Sequence, residues 1–312
     1  MQQILLITAF ISIHISAQKT EAYYDYMWKS STPANARFFS VVTKTESGWL
    51  RQDYFLGTKS LQMSGLFEDS ANKIANGFFR FYYANGISES YGRNVHNKKE
   101  GLWVRYHPNG MMDDSTWYVN GNPLGASFGW HSNGALSDSI MYNPGGSAVE
   151  VDWYSNRSPS GAGRLMNGKL NGMWIFFHNN GKVAAREMYD NGKLLSREYY
   201  DTAGMQEDTT SRDRIAAFPG GKAAWTKFVY KHIFFPGEYK LVNSDQVTVV
   251  VTATIDEDGN VVDPYVEVPF YKDFDNIAIK VFKKSPKWLP AIQHNRTVVQ
   301  KIRQPITFAQ EE

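Results

Sequence analysis

The feature that most constrains this chain is a unit that returns every 23 or 24 residues between about residues 77 and 207. Its fullest copy opens as Gly101-Leu-Trp-Val-Arg-Tyr-His-Pro-Asn-Gly110, continues through a polar run to Trp117-Tyr118, and turns again at Asn120-Gly121. The opening glycine recurs at Gly77, Gly125 and Gly172, with Val149 in its slot once. The Asn-Gly turn recurs at Asn85-Gly86, Asn133-Gly134 and Asn180-Gly181, degenerates to Arg157-Ser158, and ends as Ala203-Gly204. A fixed period of this length marks a repeat architecture, in which each unit covers its apolar face only by stacking on its neighbours.

A second set of turns falls about twelve residues after the first, at Asn120-Gly121, Asn143-Pro144-Gly145, Asn167-Gly168 and Asn191-Gly192. Asn-Gly tolerates positive φ at both central positions, which predicts tight type I′ hairpins. Glycine and asparagine this frequent would break a helix repeatedly. The expected fold is therefore mainly β: a long antiparallel β-meander of hairpin repeats of about 24 residues. One aromatic column reads Tyr82, Tyr106, Trp130, Tyr154, Phe177 and Tyr200. A second, three residues earlier, reads Phe79, Trp103 and Trp174, with Ser127 and Val151 in the same slot. A third, on the returning strand, reads Tyr118, Tyr142, Met166 and Tyr189. Residues an odd number apart on a strand face opposite sides, so the first two columns belong to opposite faces. Tyr106, Trp130, Tyr154 and Phe177 are the candidate binding residues of the repeat surface.

A net charge of +2 provides no basic field for nucleic acid. The absence of cysteine excludes disulfides, thiolate catalysis and thiolate zinc sites. Residues Ile4 to Ile15 are an apolar run followed by Ser16-Ala17-Gln18, too short for a comfortable bilayer span and shaped like a secretory signal peptide over 1–18. Export is the expectation, with no transmembrane span in the mature chain.

Three patterns invite catalytic or metal chemistry. His107, His131 and His178 share one slot of three repeats, but equivalent slots lie about 9–10 Å apart in a meander. Zinc holds imidazole nitrogens at about 2.0–2.1 Å, so they form a row of solvated strand-end histidines rather than a metal cluster. Gly125-Ala-Ser127-Phe-Gly129 matches a nucleophile elbow, yet Ser127 occupies a strand slot instead of a strand-to-helix turn. Asp256 to Asn260 has its glycine in the wrong position for a calcium loop and reads as a hairpin turn. The expectation is a protein that binds without catalysing, with no metal and no cofactor.

The repeats fade after Gly204, and a polar linker at 208–214 separates the array at 19–207 from a second domain at 215–312. There the order is a helix ending near Ile233, a hairpin of Gln246–Ile255 with Val261–Val268, a helix over Asp275–Lys284, an extended Pro286–Ala291 segment and a last strand over Val298–Phe308. This is a small α+β domain.

The array resembles the MORN-repeat group, particularly its bacterial variant, on Tyr106-His-Pro-Asn-Gly110, Trp130-His-Ser-Asn-Gly134 and Phe177-His-Asn-Asn-Gly181. That resemblance implies an interaction scaffold, some members of the group being associated with membranes or lipids. Residues 215–312 resemble the C-terminal domain of TonB-type energy transducers on Phe218-Pro-Gly-Gly221, Trp225-x-x-Phe228, the Asp256–Asn260 hairpin, Pro286-x-Trp288-x-Pro290-Ala291 and Pro305-Ile-x-Phe308. In that family the domain takes an extended peptide of an outer-membrane transporter by strand addition, which assigns the docking edge to Val298, Val299, Gln300, Lys301, Ile302 and Arg303. His294-Asn295-Arg296 stands where the family often has Asn-Gly-Lys. The implied location is the periplasm or the periphery of an outer membrane, and the implied partner is a protein or peptide of the cell envelope. Energy transduction for outer-membrane transport and a glycan- or peptidoglycan-binding surface are the alternatives.

Overall fold

The computed structural model describes residues 19–242 and 244–310; the expected signal peptide lies outside them. Sixteen strands form one antiparallel sheet in strict chain order. They are β1 (Lys19–Tyr24), β2 (Phe38–Thr45), β3 (Gly48–Phe55), β4 (Leu61–Phe67), β5 (Ala75–Tyr82), β6 (Ser88–Val95), β7 (Lys98–Tyr106) and β8 (Met112–Val119). The sheet continues as β9 (Asn122–Trp130), β10 (Leu136–Tyr142), β11 (Ser147–Trp153), β12 (Pro159–Met166), β13 (Lys169–Phe177), β14 (Val183–Asp190), β15 (Lys193–Tyr200) and β16 (Gln206–Glu207). The meander expected from the repeats thus extends back to Lys19.

The two turn sets differ in kind. Asn120, Asn167 and Asn191 have positive φ together with the following glycines, as a type I′ hairpin requires. In the first set only the glycine does: Gly86, Gly110, Gly134, Gly181 and Gly204 lie at φ 80 to 86. There the chain closes over four residues, with Gly86 N–H donating to Tyr83 O and Tyr83 N–H to Ile87 O, both 2.9 Å. A type I turn followed by a left-handed residue gives this longer connection, so the expected tight turn holds at Asn120, Asn167 and Asn191 but not at Asn143, whose N–H donates to Ser147 O at 2.8 Å.

The opening glycines mark β-bulges. Pairing shifts register between β4 and β5, β6 and β7, β8 and β9, and β12 and β13. Gly77, Gly101, Gly125 and Gly172 sit at those shifts with positive φ. Where Val149 takes the slot, β10 and β11 pair without a shift. The bulge residue is missing, so the unit from Val149 to Met166 slips by one position against its neighbours. Four assignments change as a result. Trp153 rather than Tyr154 continues the first column, Glu150 rather than Val151 faces inward, Leu165 rather than Met166 is buried, and the turn is Asn156-Arg157 rather than Arg157-Ser158. The turn itself keeps its neighbours' form: Arg157 N–H donates to Tyr154 O at 2.8 Å, and Arg157 takes the glycine's left-handed conformation at φ 71.

Register assigns the faces. The second column points inward, and a glycine lies beside each ring: Gly65 beside Phe79, Gly92 beside Trp103, Gly163 beside Trp174. The Trp103 and Trp174 indoles donate to the carbonyls of Arg93 and Arg164 at 2.9 and 2.8 Å. The first column points outward and stays half-exposed. Alongside it on that face stand Phe78, Leu102, Trp117, Phe128, Met141 and Met173, all exposed.

The C-terminal module contains α1 (Gly221–His232), β17 (Gln246–Ile255), β18 (Val261–Val268), α2 (Lys272–Lys284), β19 (Ala291–Gln293), β20 (Arg296–Val298) and β21 (Gln300–Ala309). Its sheet runs β18-β17-β21, and β19 and β20 make a short separate hairpin in the proline-rich region. Helix α2 buries Phe274, Ile277, Ala278, Val281 and Phe282, the spacing of one helical face. These close over Val249, Val251, Ala253, Ile306 and Phe308 from the sheet, with Trp225 and Trp288 filling the end by α1. Val250 and Val268 turn the other way and pack on Phe38 and Phe55 of the repeat sheet. The module therefore covers the inner face of the meander.

Candidate interaction surfaces

Two ladders of side chains tie successive hairpins together along the first-set turns. Each turn asparagine donates its amide to a carbonyl of the next turn: Asn85 to Pro108, Asn109 to Ser132, Asn133 to Ser155, Asn156 to Asn179 and Asn180 to Thr202, at 2.8 to 3.3 Å. One step inside, Tyr83 and Tyr154 donate their hydroxyls to Tyr106 O and Phe177 O, both at 2.7 Å. In the same slot Nε2 of His107, His131 and His178 reaches Trp130 O, Trp153 O and Tyr200 O at 2.7 to 2.9 Å. The three histidines are thus not solvated strand ends: His107 and His178 are buried, and all three link one hairpin to the next. Tyr154, expected on the binding surface, is only 4 % exposed and belongs to this ladder.

That interchange of imidazole and phenol makes a prediction. His107→Ala leaves a backbone carbonyl without its donor and should cost about 1–3 kcal/mol, whereas His107→Tyr should cost much less. Urea midpoints of the two variants check it.

The inner face carries carboxylates under the module. Asp138 pairs directly with Asp152, Asp114 lies beyond Gly129, which separates it from Asp138, and Glu150 follows Asp152 on the same face. Burial, reinforced by the neighbouring Glu150, pushes Asp152 up to about 8, with the Arg296 guanidinium opposing the rise. Burial also raises Glu150 and Asp114. Ser127 lies on the same face in mid-strand, buried, sharing a 2.6 Å hydrogen bond with Thr116 Oγ1. Its place within β9 is that of a strand residue, as the repeat register predicts.

The module meets this face through the β19–β20 hairpin. The His294 ring stacks on Phe176 at 3.8 Å and 5°, and its Nδ1–H donates to buried Glu187 at 2.8 Å. Burial alone would raise Glu187, but hydrogen bonds from His294 and Tyr189 outweigh it and hold the carboxyl below its ordinary value. Asn295 Nδ2 donates to Tyr200 O at 3.0 Å, and the Arg296 guanidinium lies over the rings of Phe176 and Tyr154. His294, Asn295 and Arg296 together grip the repeat sheet.

The predicted docking edge divides between covered and open parts. Val298 pairs with Ala291, Gln300 Oε1 accepts from Ala216 N–H, and Ile302 is buried in the core. Val299 is exposed between strands. Lys301 lies 4.0 Å from Asp113 of the repeat sheet, while Arg303 pairs with Glu267 at 2.8 Å and reaches Tyr26 O. Further along, β21 pairs with β17 on one side, and among the described residues no strand pairs with its other side. Gln310 N–H donates to Asp245 O, so residues of opposite parity, including Arg303, Pro305, Thr307 and Ala309, turn their backbone outward. Pro305 fits there because its missing N–H weakens no ladder bond with β17. Beside this edge runs a groove against α1. Its two connected clefts, about 520 and 810 Å³, share Tyr230, Ile233 and Thr307. Ile215 and Tyr230 are over 70 % exposed at its margin, and Phe234 is 65 % exposed.

Tyr106, Trp130 and Phe177 stand on the outer face as half-exposed rings. Trp153, which the one-residue slip hid from sequence reading, stands with them. Among the described residues no helix is long and apolar enough to cross a membrane, which says nothing of spans made from strands. Residues 170–191, the β13–β14 hairpin with Gly172, Trp174, His178 and Asn180-Gly181, match the family model of a MORN repeat variant. No curated protein matches the chain.

Proposed function

We propose that this chain is an exported binding protein of the cell envelope whose C-terminal module takes an extended peptide alongside β21. A meander of MORN-type hairpins fits a repeat-based binding or scaffold protein. The finer reading is supported by one observation: an unpaired strand edge bordered by an apolar groove. An added strand gains affinity from main-chain hydrogen bonds, and the groove selects its alternate side chains. The TonB-like order of elements agrees with this use, and the secretory character of residues 1–18 supports the envelope location. An N-terminal periplasmic segment of an outer-membrane transporter is the proposed ligand class.

Thr307→Pro removes a second outward donor, keeps the backbone ladder with β17, and gives up on that side only the hydroxyl contact between Thr307 and Thr248. Titrating the full chain with a panel of such segments should find at least one binder, and Thr307→Pro should weaken it at least tenfold. If no segment binds, or the variant binds equally well, the reading is wrong.

A further inference from the structure

We infer a second ligand site, on the outer face of the repeat sheet, that seats an acidic sugar of a linear glycan between Trp130 and Trp153 with Arg157 at its rim. This site is independent of the module's groove. A cleft of about 400 Å³ is lined by these three residues with Gly134, Ala135 and Leu136. In the outward column, tryptophan follows tryptophan in successive hairpins only here; the other positions hold Tyr82, Tyr106, Phe177 and Tyr200. Their strands are two apart, so the attachment points lie about 9.4–9.8 Å from one another, with Leu136 of β10 between them.

Arg157 supplies the second observation. Every other first-set turn puts glycine at this position, and Arg157 alone adopts the left-handed conformation there with a side chain. That conformation is costly for a residue with a Cβ, and such strain clusters at ligand sites. Its guanidinium is exposed and makes no ion pair among the described residues. The unit that breaks the repeat pattern is the one that aims a free cation at the tryptophan cleft.

The chemistry selects the ligand. Strands β9 to β11 are paired on both sides, so an extended peptide finds no main-chain partners here. A single guanidinium at the cleft, in a chain of net charge +2, does not make a field for a phosphate polymer. Indole faces stack on the C–H faces of a pyranose, and a guanidinium fork matches a sugar carboxylate. Along the sheet the aromatic column repeats every second strand, an advance comparable to one disaccharide of a β-linked chain.

The test titrates the full chain, followed by tryptophan fluorescence and calorimetry, with hexasaccharides of hyaluronan and of β-1,4-linked mannuronate, with neutral chitohexaose, and with anionic phospholipid vesicles. At least one acidic hexasaccharide should bind at least tenfold more tightly than chitohexaose. Trp130→Ala, Trp153→Ala and Arg157→Gly should each weaken it about tenfold or more. Arg157→Gly relieves the backbone strain, so the same variant should melt about 2 °C higher while losing the glycan. A structural role alone would not move stability and binding in opposite directions. The site is refuted if neither acidic glycan binds, if chitohexaose binds equally well, if Arg157→Gly binds like the wild type, or if only the vesicles bind.

Discussion

Trp174→Ala should remove about 3–5 kcal/mol of stability, because the indole is only 2 % exposed and anchors the inner face of the last complete repeats. It stacks on Phe176 at 5.5 Å, and Phe176 in turn carries the His294 ring of the module. Losing the indole therefore undermines both the sheet and the docking of the module. The complementary substitution adds rather than removes volume. A Cβ built on Gly163 would stand 2.2 to 2.5 Å from three atoms of the same indole, which is held by its hydrogen bond to Arg164 O. Gly163→Ala should cost about 3 kcal/mol, at the upper end of ordinary overpacking. The double variant should be little worse than Trp174→Ala alone, since the clash disappears with the ring. Denaturant unfolding of the four proteins measures this coupling. Additive losses would show that glycine serves another purpose at this position.

Arg296→Ala should destabilise the protein by about 2 kcal/mol above pH 8 and by much less at pH 5. The sign follows from the carboxylates that face the module. Asp152 is raised to about 8 against an unfolded value of about 3.9, so the fold favours its neutral form. Its contribution to stability is complete below about pH 4 and is lost as pH rises toward 8. Glu150 and Asp114, raised in the same direction, act with the same sign. Arg296 limits this loss by stabilising ionised Asp152, which is why its removal matters most at high pH. Asp152→Asn should flatten the profile between pH 5 and 8, raise the urea midpoint at pH 8, and rescue Arg296→Ala there. A wild-type midpoint that rises steadily over that range would contradict the assignment.

Much of the architecture was legible because hydrogen bonding in a meander is local. Each strand pairs with its chain neighbour, so turn residues and alternation specify the order without any long-range information. The opposite orientation of the Phe79 and Tyr82 columns followed from parity alone. The slip at Val149 was harder to read, since a bulge adds a residue to one strand without a symbol of its own. Only its glycine signals it, and the loss of that glycine looked like substitution rather than deletion. Tyr154 was consequently placed on the surface, and Trp153, half of the proposed glycan cleft, was missed. The histidine row misled for a different reason: its acceptors are backbone carbonyls of the next hairpin, and any residue can supply a carbonyl.

In the module, the succession of helix, hairpin, helix and strand was readable from periodicity and from the turn at Asp256 to Asn260. How far its last strand would be covered was not.

Local chemistry in the chain settled the turns, the strand order, the alternation of faces and the two-part organisation, since each depends on residues a few positions apart. Tertiary structure decided which face of the sheet the module occupies and that His294, Asn295 and Arg296 clasp it. It also decided which stretch of β21 stays open and where buried carboxylates meet a guanidinium. Those outcomes depend on contacts between residues a hundred or more positions apart, such as His294 with Glu187. Burial and charge there arise only when two separately readable surfaces meet.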